Sequence, residues 1–179
     1  MDTTSGGKAK QPSIARNAPQ FESRGLWSAA RPKTMVIACS DGRLQACTDE
    51  FLQQYLDVHD YDRLYIPGGA GAMAFGGSEF IRADTHRRAF SFLLQAHGPK
   101  QVILLTHSAA DDGPPESVCA HYRRVFTRAS VAEIREQQSR DIADVSRALA
   151  QDLRGIKVRA FRADVTAAFH VSFTEITPP

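Results

Sequence analysis

Nowhere does this chain hold an apolar run approaching the roughly 20 residues that span a bilayer, and nothing near its start has the make-up of a signal-peptide core. Both absences argue for a cytoplasmic protein. Cysteine is scarce: Cys39, Cys47 and Cys119 are an odd number set far apart, a poor disulfide framework that leaves thiols free for metal or chemistry. Charge of one sign is lacking as well, since 22 Lys and Arg stand against 20 Asp and Glu for a net +2. No overall field therefore calls for nucleic acid or an anionic surface. There is no internal repeat.

What is present fits one compact core, with 179 residues of which 42% are hydrophobic. The start of the chain differs in composition. Lys8, Lys10, Arg16, Arg24, Arg31 and Lys33 are opposed only by Asp2 and Glu22, among Gly, Ser, Pro and Asn. Residues 1–30 read as an extended basic arm, suited to tether a partner or to lie in solvent, and residues 31–179 as a single α/β domain.

Within the domain, Thr34–Cys39, Arg63–Ile66 and Gln101–Thr106 are short apolar runs rich in β-branched residues, the pattern of strands buried on both faces. Ile156, Val158 and Ala160 alternate as a fourth strand, and Phe169, Val171 and Phe173 as a fifth at an edge. Helical spacing lies between them. Phe51, Leu52, Tyr55 and Leu56 follow the candidate cap Asp49, and Ala89, Phe92, Leu93 and Ala96 form a stripe ended by Gly98-Pro99. Pro114 and Pro115 suit a helix start, and Ser130 with Glu133 makes a capping box for a long helix closed by Gly155. Pro67 to Ala72, by contrast, holds a proline and small residues that disfavour any regular element. The expected fold class is α/β, a central mostly parallel sheet of four to five strands flanked by helices, with ligands bound beyond the carboxyl ends of the strands.

Cys39 and His107 both fall at that edge. A catalytic zinc takes three protein ligands, often Cys and His, and keeps a fourth position open. Taken singly, a strand-end cysteine is usually a small buried hydrophobe and a lone histidine a hydrogen-bonded loop residue. The combination Cys39-Ser40-Asp41-Gly42-Arg43 shifts that balance, because Arg43 can grip Asp41 with two nitrogens while Asp41 sits beside the metal. Cys119 qualifies by its place in the first turn or so of a helix, where a thiolate is favoured. Asp111, Asp112 and His121 compete as ligands. Cys47 ranks lower, and His59, His86, His97 and His170 have no motif around them.

The segment from Cys39 to Arg43 resembles the Cys-x-Asp-x-Arg signature of β-class carbonic anhydrases, and the order from Pro32 to about Ala160 is similar to that family's. The resemblance implies Cys39, His107 and Cys119 as ligands of Zn2+, Asp41 and Arg43 as the catalytic dyad, and Gly69, Ala70 and Gly71 as a loop lining the substrate pocket. One departure stands out: Ser108-Ala109-Ala110 comes after His107 where the family reads His-x-x-Cys. Cys119 lies farther on, and a widened spacing of this kind is similar to that of the carboxysomal shell branch. The activity that the resemblance implies is reversible hydration of carbon dioxide to bicarbonate by a homodimer or higher homo-oligomer; the expected location is the cytoplasm, with a compartment shell as the alternative. The alternatives are a hydrolase of carbon disulfide or carbonyl sulfide on the same zinc, or an inactive zinc-binding homo-oligomer closed by Asp41.

Overall fold

The computed structural model describes residues 21–74, 79–153 and 155–176, and the chain divides into two units, Met1–Ala30 and Arg31–Pro179. In the first, residues 21–30 form no helix or strand, and the rest of the basic arm lies outside the described residues. The second unit is the α/β body. Its five strands are β1 (Thr34–Cys39), β2 (Tyr61–Ile66), β3 (Gln101–Ala109), β4 (Lys157–Val165) and β5 (Val171–Glu175), in the order β2-β1-β3-β4-β5. The first four run parallel, and β5 turns back antiparallel on β4.

Strands β1 and β3 are buried on both sides because both faces are covered. On one face Met35, Ile37, Leu104, Ile134 and Ile142 join under helices α2 (Phe80–His97) and α4 (Val131–Asp152). On the other, Val36, Ile103, Leu105 and Phe161 meet Phe51 and Leu52. These last two belong to a π-turn, Phe51–Tyr55, that continues the short helix α1 (Gln45–Glu50). The remaining helix, α3 (Ala120–Val125), follows Cys119. No helix among the described residues is long and apolar enough to cross a membrane.

The capping box at α4 forms as the sequence suggests, with Glu133 N–H donating to Ser130 Oγ and Ser130 N–H to the Glu133 carboxylate. Several details differ. Asp49 is no cap; it lies inside α1, where its carboxylate accepts from the Tyr61 hydroxyl. The buried residues of α2 are Ala83 and Phe90, while Phe92 is exposed, because two stripes satisfied the helical period and packing chose the one facing the core. Helix α4 ends at Asp152 with Leu153 as its C-cap, before Gly155. Strand β5 begins at Val171, leaving Phe169 in the preceding turn. There Phe169 has φ 61°, a left-handed conformation that costs a bulky residue on the order of 1 kcal/mol.

Gly69–Met73, read as irregular, is a buried 3-10 turn behind the sheet edge. A side chain at Gly69 has nowhere to go: a Cβ there would stand 2.4 Å from the Leu105 carbonyl oxygen and 3.2 Å from Cys39 N, at φ +62°. Gly69→Ala is expected to lower unfolding free energy by about 1–3 kcal/mol, read from urea denaturation; no loss would mean that the turn does not press against β1 and β3.

Candidate metal centre

The strand register builds the site. Ile37 stands opposite Leu104 in the parallel pair β1/β3, so Cys39, two residues on, reaches the level of Thr106 and His107. This is also where the strand order reverses, β1 leading to β2 on one side and neighbouring β3 on the other. Such a switch point opens a crevice at the carboxyl ends of the strands. His107 lies inside β3, which runs on to Ala109 rather than ending at Thr106.

Cys119 arrives by a different route. After β3 the chain turns through Asp111 to Pro114 and a 3-10 turn, Pro115–Ser117, which brings Cys119 to the N-cap of α3, 1% exposed. The ligand atoms of Cys39, His107 and Cys119 all lie within 4.8 Å of one another. Cys39 Sγ and Cys119 Sγ are 3.8 Å apart and not bonded as a disulfide. Tetrahedral zinc with Zn–S bonds near 2.3 Å has sulfur-to-sulfur edges of about 3.8 Å.

The imidazole is set for the same purpose. His107 Nδ1–H donates to the Ser117 carbonyl at 3.0 Å, which leaves the lone pair on Nε2. That Nε2 is buried and has no hydrogen-bond partner among the described residues, which leaves its lone pair available to a ligand bond. A lone pair on nitrogen and two sulfurs, held close and kept from each other, is the donor set of a thiolate–imidazole zinc site, and the residues fit that ion. Of the two thiols Cys39 is the more acidic: the Cys119 S–H beside it pulls the Cys39 pKa down, while the proximity of that thiolate, and then burial, push Cys119 up. A dication held by these residues would favour both sulfurs as thiolates.

Asp41 and Arg43 are joined as expected from their spacing. Arg43 Nε donates to Asp41 Oδ1 at 2.9 Å and Nη2 to Oδ2 at 2.5 Å, and Arg43 N–H caps the same carboxylate at 3.1 Å. Arg43 Nη1 reaches the Glu116 carbonyl at 3.2 Å. Asp41, Arg43 and His107 line one cavity of about 570 Å³, whose other wall is apolar, with Leu44, Val165, Phe169 and Val171. Gly69, Ala70 and Gly71 are buried and are not among its lining residues.

The competing ligands stand apart from the cluster. Asp111 is paired with Arg135 and Asp112 is exposed. His121 packs against Gly68 with Nδ1 3.4 Å from Arg82 Nη1, and burial lowers its pKa. Cys47 lines the cavity at its apolar end.

Three contributors escape a reading of side-chain motifs. Ser117 and Glu116 act through backbone carbonyls, which have no sequence signature. Gln138, fully buried on α4, donates Nε2–H to the His107 carbonyl at 2.8 Å. A buried glutamine on the inner stripe of α4 is the one signal that points to it.

The fold is similar to that of β-carbonic anhydrases. CafA of Aspergillus fumigatus is 13% identical, with 84% of this chain and 78% of that one covered at a TM-score of 0.47. A tetrameric β-carbonic anhydrase from Sordaria macrospora is 14% identical, with coverage of 80% and 81% and a TM-score of 0.46. The β-carbonic anhydrase CcaA is 16% identical, with coverage of 83% and 85% and a TM-score of 0.46. No protein-family model matches the sequence, and no curated protein does.

The Arg43 grip holds the Asp41 pKa down at about 2. A depressed carboxyl pKa adds stability that is fully present above the unfolded value near 4 and is lost as pH falls through the folded one. Arg43→Gln is expected to move the Asp41 midpoint up toward the ordinary range, followed by carbon-detected NMR of the carboxyl; an unmoved midpoint would mean that Arg43 does not hold it.

Proposed function

We propose that this chain is a zinc-dependent carbonic anhydrase, interconverting carbon dioxide and water with bicarbonate and a proton. The observation that carries the reading is the convergence of one ligand atom each from Cys39, His107 and Cys119 within 4.8 Å of one another, with a carboxylate held by an arginine lining the same cavity as His107. The contribution of zinc in such a place is Lewis acidity, which brings the pKa of water from 15.7 to about 7.

The protein's own residues supply orientation. Asp41, kept ionised by Arg43, offers an acceptor for the proton of the attacking nucleophile and so turns its lone pair toward the substrate carbon. Arg43 in turn occupies both Asp41 oxygens. Closing the site with Asp41 as a fourth ligand would require breaking that two-nitrogen hold, which favours the open, active arrangement over the inactive zinc-binding one. The Leu44, Val165 and Val171 side chains give an uncharged gas an apolar surface to lie against. Gly69, Ala70 and Gly71 serve here by close approach, letting backbone pass behind Cys39.

We also place the chain in a homo-oligomer. Helix α2 has 18 residues yet buries only Ala83 and Phe90, and it leaves Phe80, Ile81 and Phe92 exposed, an apolar surface that a second copy would cover.

Stopped-flow hydration across about pH 6–9, on protein carrying one zinc per chain, is expected to show turnover, and its absence would defeat the proposal. Cys119→Ala is expected to lose zinc on dialysis as well as activity; full zinc retention would remove Cys119 from the ligand set. Light scattering at micromolar concentration is expected to give at least twice the chain mass, against which a monomer would count.

A further inference from the structure

We propose that Phe169 is a specificity-determining residue, its ring forming part of the wall between the site cavity and a neighbouring aromatic groove and so limiting the size of molecule that passes between them. The inference rests on reading that cavity as the substrate chamber.

The two spaces, about 570 and 560 Å³, share three lining residues: Cys47, Phe169 and Val171. On the far side the groove is lined by Phe51, Tyr55 and Phe173, with Phe51 stacked on Phe173 at 4.1 Å between centroids and on Tyr55 at 5.5 Å. Glu50, Gln54 and His170 also line the groove, so it offers an aromatic surface with a polar margin, and it adjoins the site cavity at the three shared residues.

Phe169 is an unexpected residue for its position. The β4–β5 turn is closed by Phe169 N–H donating to the Thr166 carbonyl and Thr166 N–H to the His170 carbonyl, each at 2.9 Å. This holds Phe169 at φ 61°, where glycine or asparagine fits more readily. Its ring is 77% exposed, so core packing does not account for a phenylalanine there. A strained backbone that presents a large apolar ring to two adjoining cavities is accounted for by what the ring obstructs. With the backbone fixed by the turn, only side-chain rotation remains to widen the passage.

Cys47, which lines both spaces beside Phe169, provides a probe of the room around the ring that is independent of turnover. In the zinc-loaded full chain, modification of Cys47 by iodoacetamide is compared with that by fluorescein maleimide, the site of labelling being located by peptide mass. Phe169→Asn keeps a left-handed backbone while removing the ring, and is expected to raise the bulky-to-small rate ratio about tenfold. Phe169→Trp is expected to lower it. A ratio within about twofold of the native one in both variants, each shown folded by circular dichroism, would overturn the proposal; should Phe169→Asn fail to fold, the tryptophan variant decides alone. Thiol labelling needs no hydration activity, so a protein that alters the ratio but hydrates no carbon dioxide would sink the functional reading and leave the barrier standing. In active protein, Phe169→Asn is further expected to raise kcat/KM for carbonyl sulfide relative to carbon dioxide, and an unchanged ratio would remove the specificity role.

Discussion

The lateral register of β1 against β3 is the constraint on which the rest depends. With Ile37 opposite Leu104, the strand-end thiol and the imidazole come level at the point where the sheet's order reverses. Side chains alternate along a strand, so a slip of one residue would send either group to the opposite face. The slip is prevented by burial on both sides: Met35, Ile37 and Leu104 are committed to one core, Val36, Ile103 and Leu105 to the other. The metal centre is therefore placed by hydrophobic packing, and its own chemistry has only to add the third donor.

Electrostatics divide the site into two parts that do not compete. The sulfur pair, with Cys119 buried and Cys39 half-buried, has one thiol made acidic by the other, which favours a cation between them. Arg43 and Asp41 neutralise each other at the cavity wall, and the arginine is tied to a second segment at Glu116. That tie matters because Asp41 is then oriented by a strand-end turn and by the loop carrying Cys119 together. His107 is fastened twice in the same way, at Nδ1 by Ser117 and at its carbonyl by Gln138.

Much of this is legible in the order of residues alone. The buried strands announce themselves as β-branched apolar runs, α4 by its Ser130–Glu133 box, and the Asp41–Arg43 grip by a spacing that leaves two side chains on one tight turn. Other features are not, each for a physical reason. Phe92 stands in the more apolar helical stripe, yet tertiary contact buries Phe90 instead. The 3-10 turn at Gly69–Met73 exists because backbone must come close to Cys39 and the Leu105 carbonyl, a demand set by neighbours distant in sequence. The approach of Cys119 depends on a loop path, and spacing alone leaves Asp111, Asp112 and His121 open as donors. Carbonyl acceptors such as those of Glu116 and Ser117 are invisible to any reading by residue type.

The stretch from His107 to Cys119 has one more implication. Because a single segment supplies a donor at each end and, in between, the carbonyls that steady both the imidazole and the guanidinium, an ion held by those donors would also act as a buckle on that loop. Loading and chain ordering would then be two descriptions of one event. Demetallation would slacken the carboxylate's support along with the centre itself, so that loss of the ion reaches parts of the machinery it never touches.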